Sequence, residues 1–198
     1  MAFINFLVEG RIDEAVAIKL ASSAGFEPGT CFGKKGMSYI KKKITGFNLS
    51  AQGSLFFALV DLMDTSLTCP AEVLSQWLPH RNPNMMFRVV VKEIESWLLA
   101  DRQGIAEFLH VNSAFIPHAV ETLDDPKQTL IQIARRSRRK FIRETLAPAA
   151  GTTAREGILY NDEMTRFVQD HWNTEEARLN SPSLDQCIIR LNELKGKQ

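Results

Sequence analysis

Three short apolar runs mark the first half of the chain, and each one leads into acid. Phe3–Gly10 reads F-I-N-F-L-V-E-G and closes on Glu9 and a glycine. Leu55–Val60 reads L-F-F-A-L-V and delivers Asp61, with Asp64 three residues on. Met85–Val91 reads M-M-F-R-V-V-V and runs into Glu93 and Glu95. Runs of this length closed by turn signals predict strands buried on both faces, as in a parallel sheet. Elsewhere the period is helical. Ile12–Ala24 sets Ile12, Ala15, Val16, Leu20 and Ala24 near one face, with Asp13 and Glu14 in the first turn, where the helix dipole favours negative charge. Thr68-Cys69-Pro70 opens a second helix, with Pro70 suited to its first turn. Arg102–His110, Met164–Trp172 and Leu184–Leu194 also read as helices, and Asp124-Asp125-Pro126-Lys127 as a helix start. Phe26–Lys35 reads as a turn and Pro148–Gly157 as a loop. The pattern predicts an α/β fold: a parallel sheet flanked by helices over residues 1–101, and a mostly helical portion over 102–198 packed on that core.

Acid at the end of a buried strand has a chemical consequence. Neighbouring strands lie about 5 Å apart, so parallel neighbours would gather Glu9, Asp61, Asp64 and Glu95 at one sheet edge. Carboxylates that close raise one another's pKa, and a divalent cation relieves the repulsion. All-oxygen donors favour Mg²⁺ or Mn²⁺ over Zn²⁺. Such an ion activates water and neutralises phosphate in phosphoryl transfer. His110, His118 and His171 lack metal-ligand spacing. Arg88, inside the third run, needs a partner if it is buried.

Charge and composition narrow the partners. The formal net charge is +1 and 44% of residues are hydrophobic, ordinary for a globular chain and no argument for a polyanion partner. Locally the picture differs. Lys34 and Lys35, then Lys41–Lys43, form one basic stretch, interleaved with Tyr39, Ile40, Ile44 and Phe47. Arg135, Arg136, Arg138, Arg139 and Lys140 form a second. Each reads either as a solvated helix face or as a grip on a phosphate backbone. Gly29, Gly33 and Lys34 invite a nucleotide-loop reading that fails, because the glycines are one residue too close and Lys35 stands where Ser or Thr must be. No window is long and apolar enough to span a membrane. The beginning of the chain reads as the start of a folded domain rather than a signal peptide. Cys31, Cys69 and Cys187 are widely spaced and odd in number, as expected of free thiols in a reducing cytoplasm.

The motifs also carry a resemblance. V-E-G-x-x-D-E at Val8–Glu14, followed by V-D-L-M-D at Val60–Asp64, resembles the TOPRIM fold of topoisomerases, primases and the overcoming-lysogenization-defect nucleases. More closely, the chain resembles a small bacterial TOPRIM-like family related to the TOPRIM effector of the PARIS anti-phage system. That likeness runs through G-K-K at Gly33–Lys35, D-L-M-D-T-S-L-T-C-P at Asp61–Pro70, K-E-I-E-S-W-L-L-A-D at Lys92–Asp101, D-D-P-K at Asp124–Lys127 and S-P-S-L at Ser181–Leu184. The resemblance implies a TOPRIM-like Rossmannoid sheet and a Mg²⁺- or Mn²⁺-dependent nuclease, in the setting of phage defence. Glu9 matches the TOPRIM glutamate, a general acid/base or metal ligand, and Asp61 the first metal-binding aspartate. The family pattern is D-x-D and this chain has D-x-x-D, so Asp64 joins Asp61 only if the backbone turns between them. Glu95 matches the acid ahead of W-L-L-A-D. Lys34, Lys35, Lys127 and the Arg135–Lys140 block are the expected nucleic-acid contacts. DNA and RNA both remain open as substrates. The alternative is a non-catalytic module that docks on an AAA- or ABC-type ATPase; a homodimer is compatible with either.

Overall fold

The computed structural model describes residues 2–197. The chain divides into two compact units. One runs to Val91 and takes back the chain from Ser183 onward, and the other is Lys92–Pro182. The division therefore falls ten residues before the expected boundary at 101, and the last helix belongs with the sheet.

In the first unit, four strands form an all-parallel sheet in the order β2-β1-β3-β4: β1 Phe3–Val8, β2 Glu27–Gly33, β3 Leu55–Asp61 and β4 Met85–Val90. The three apolar runs are β1, β3 and β4, as their continuous hydrophobicity predicts. Helices α1 (Arg11–Ser23), α2 (Met37–Ser50) and α3 (Pro70–Trp77) connect them. On one face, Leu7, Phe56, Phe87 and Val89 pack under Ile40 and Ile44 of α2 and Val73 and Trp77 of α3. On the other, Phe6 and Phe57 meet with ring centroids 6.4 Å apart.

The expected turn at Phe26–Lys35 is instead β2. This edge strand is exposed or half-buried along its length and contains Pro28, which an edge tolerates because it need not donate on its outer side. Its glycines serve close backbone approach. A Cβ at Gly33 (φ +97°) would sit 2.2 Å from the Val8 carbonyl oxygen, and one at Gly29 would sit 2.7 Å from Asn5 Oδ1. Gly33→Ala is accordingly expected to cost about 2 kcal/mol through strain and a forced β1–β2 separation. Urea unfolding checks this; a midpoint equal to the unsubstituted chain's would contradict it.

The second unit is helical: α4 Ile94–Ala100, α5 Arg102–Leu109, α6 Pro126–Ala134, α7 Lys140–Leu146, α8 Tyr160–Asp170 and α9 Thr174–Asn180. α4 is buried along its whole length and carries Trp97, whose carbonyl accepts from Trp172 Nε1 at 3.2 Å. Asp101 caps α5 by accepting the Gly104 N–H and also accepts the Asn173 N–H at 2.8 Å. The helix start at Asp125-Pro126 is as read, with Asp125 Oδ1 accepting the Gln128 N–H. The final helix, α10 (Pro182–Lys195), buries Leu184, Cys187, Ile188, Leu191 and Leu194. Among the described residues, no helix is long and apolar enough to cross a membrane.

Candidate functional site

Chain order and strand order decide where a site forms. From β1 the chain goes outward to β2, then returns to build β3 and β4 on the other side. The switch point lies between β1 and β3, where a crevice opens at the carboxyl ends of open α/β sheets. Glu9 follows the last residue of β1 and Asp61 is the last residue of β3. Register pairs Leu7 with Ala58, which brings the two ends level. Glu9 Oε1 accepts the Asp61 backbone N–H at 2.9 Å.

Two further acids complete the cluster. Leu62 leaves the strand with helical dihedrals, and a 3₁₀ turn at Met63–Thr65 follows. The backbone thus makes the turn that the D-x-x-D spacing requires, and the Asp64 side chain reaches within hydrogen-bonding range of Glu9. Asp13, buried in the first turn of α1, also acts on Glu9 through its charge. Burial is the main reason that the Glu9 carboxyl is pushed from 4.5 up to about 8. The Asp61 N–H opposes the rise, while Asp13 and Asp64 add to it. Glu9 therefore carries a proton at neutral pH.

Glu95, expected as a fourth strand-end acid, has a different set of partners. It lies in α4 of the helical unit, fully buried, and accepts from the Tyr160 hydroxyl at 2.9 Å. Burial pushes its carboxyl up to about 7, against the pull of Lys127. Lys127 sits 4.8 Å from the Tyr160 ring centroid and pairs with Glu156. Burial depresses its ammonium, but Glu156, Glu95 and Glu93 outweigh that and hold it above its ordinary value. Glu93 accepts the Lys127 backbone N–H at 3.1 Å. Lys127, expected as a nucleic-acid contact, is thus a member of a partly buried charge network.

The remaining cations divide. Lys34 is ion-paired with Glu14 at 3.0 Å, and Lys35 lies over the Tyr39 ring. Arg135 donates to the Pro148 carbonyl, Arg136 lies over the Phe115 ring, and Lys140 pairs with Glu144 at 3.6 Å. All five basic residues of the 135–140 block face solvent. Arg138 and Arg139 line an open cleft of about 660 Å³ with Glu107 and His110. Comparison of the chain with protein-family models, with curated proteins and with solved structures returned no match.

The acids differ in how well they suit a cation. The acids around Glu9 offer only carboxylate oxygens, and Asp13 and Asp64 add a smaller repulsive part to a Glu9 pKa raised mainly by burial, a repulsion that a hard divalent cation relieves. Among the described residues, no three His, Cys, Asp or Glu side chains are drawn together tightly enough to hold one ion. The cluster is therefore an open carboxylate group rather than a closed ligand set. Sequence reasoning gave Asp13 mainly a helix-dipole role. Its burial, unusual for an aspartate at a helix start, is what places it at the site.

Proposed function

We propose that this chain is a metal-dependent nuclease of TOPRIM type, hydrolysing phosphodiester bonds in DNA or RNA. The reading rests on one observation: acids distant in sequence meet at the topological switch point, where Glu9 accepts the Asp61 N–H and burial raises its carboxyl. Mg²⁺ or Mn²⁺, when bound, would supply charge neutralisation at phosphate and an activated water. Asp61 and Asp64, beside Glu9, are the carboxylates that would approach it, from an open side rather than as a closed set of three. Glu9, with a carboxyl that titrates at about 8, is tuned to exchange a proton at working pH, either giving it to the leaving oxygen or taking one from water. The exposed Arg135, Arg136, Arg138, Arg139 and Lys140 supply a phosphate-backbone grip in this reading. The resemblance of the short motifs to a TOPRIM-like family related to the PARIS effector is what supports a place in phage defence.

The test offers purified protein with Mg²⁺ or Mn²⁺ to plasmid, single-stranded DNA and tRNA. Cleavage that falls by about 100-fold or more in Glu9→Gln and in Asp61→Asn is the expected outcome. Cleavage that persists in both would overturn it.

A second reading, a non-catalytic TOPRIM-like module that docks on an ATPase, is favoured by the bond between Glu9 and the Asp61 N–H. That bond gives Glu9 a structural task in joining β1 to β3. Calorimetry with Mg²⁺ and Mn²⁺ separates the two readings: heat of binding in the millimolar range supports the nuclease, and its absence supports the module.

A further inference from the structure

Arg88 has no part in the acidic cluster, yet it is the most anomalous residue of the sheet. It occupies the middle of β4 on the same face as Met86 and Val90. Its Nε atom is buried and has no hydrogen-bond partner. The guanidinium lies beside the thiol of Cys187 on α10, a weak acceptor that does little for a cation. A buried guanidinium nitrogen left without a partner is costly.

Arg88 also lines a cleft of about 640 Å³ at the amino end of β4, the end of the sheet away from Glu9 and Asp61. Arg81, Arg190 and Lys197 line it too. Glu193 is the one carboxylate among the described lining residues, and it is paired with Arg190 at 2.5 Å. Leu74, Met86 and Leu194 supply apolar wall. The volume falls within the usual range for small-molecule sites, which combine apolar lining with a few placed polar groups. A guanidinium fork matches the planar or tetrahedral oxygens of carboxylate and phosphate.

We propose that this cleft binds a small amphiphilic organic anion, a phosphate monoester or carboxylate on an apolar body, with Arg88 as its inner anchor and Arg190 and Lys197 at its mouth. The inference is independent of the nuclease reading, because none of its residues belongs to the acidic cluster.

Calorimetry on the full chain, without divalent cations, uses three probes: inorganic phosphate, adenosine 5′-monophosphate and octanoate. At least one organic probe is expected to bind with Kd of roughly 10 µM to 1 mM, more tightly than inorganic phosphate. Preference for the nucleotide assigns a phosphate ligand, and preference for octanoate a carboxylate. Arg88→Met should weaken binding about tenfold or more, while Asp61→Asn leaves it unchanged. If Arg88→Met does not fold, the surface double substitution Arg190→Ala with Lys197→Ala decides by the same criterion. No binding of any probe below about 10 mM, or affinity unaltered in the deciding variant, overturns the proposal.

Discussion

At pH 8, Glu9→Gln is expected to resist urea better than the unsubstituted chain, although it removes the residue assigned the central chemical role. In the folded protein the Glu9 carboxyl titrates at about 8, against 4.5 when unperturbed. Below 4.5 both folded and unfolded chains hold the proton, and Glu9 contributes no pH dependence. Between 4.5 and about 8 the unfolded chain gives the proton up while the fold retains it, so stability falls as pH rises. Each pKa unit is worth about 1.4 kcal/mol, so removing the ionisable group should add on the order of 4 kcal/mol at pH 8 and almost nothing at pH 4. Gln keeps an oxygen that accepts the Asp61 N–H, so the bond between β1 and β3 survives. Urea midpoints at both pH values check this. Equal destabilisation at pH 4 and pH 8 would mean that Glu9 acts through packing, not charge. A stability gain accompanied by loss of cleavage is the mark of a strained functional group.

The second large effect lies in the helical unit. Lys127→Met is expected to cost about 3 kcal/mol at pH 8, within the range for breaking a buried ion pair from one side. Lys127 is the nearby cation that stabilises the buried Glu95 carboxylate, which is already raised to about 7 by desolvation. Without it the Glu95 pKa rises further. Stability then goes on falling above pH 7, where in the unsubstituted chain Glu95 has given up its proton and the fall levels off, so the penalty at pH 5 should be well below that at pH 8. Pairing of Lys127 with Glu156 adds a smaller, pH-independent part. Circular dichroism during urea titration at the two pH values measures both. A penalty that does not grow with pH would place the effect in the Tyr160 contact and not in charge.

Some of this was legible in the sequence for plain reasons. Predominantly apolar runs mark strands covered on both faces, and β1, β3 and β4 are such strands despite Asn5 and Arg88. β2 was not legible, because an exposed edge strand needs no apolar run, and its Pro28 and glycines mimic a turn. Those glycines are required by close approach to β1, a long-range constraint that local pattern does not carry. Glu9 and Asp61 could be named because strand ends are predictable and parallel order aligns them. Asp64 depended on one 3₁₀ turn, which the D-x-x-D spacing required but could not supply. Glu95 misled because an acid after an apolar run has the same appearance whether it ends a strand or enters a buried helix. Its neighbours in I-E-S-W-L-L-A are all buried, and the Lys127 ammonium and the Tyr160 hydroxyl, both distant in sequence, explain how a carboxylate is tolerated there. The return of α10 to the sheet unit likewise depends on packing that its helical period does not encode.

Carbon-13 NMR of the Glu9 side-chain carboxyl, followed against pH with and without Mg²⁺, goes straight to the crowded acids at the β1–β3 switch point. The expected midpoint is about 8 in the absence of metal, moving to lower pH as Mg²⁺ is added and competes with the proton. A midpoint near 4.5 that Mg²⁺ does not move would mean that the carboxylates neither crowd one another nor receive a cation.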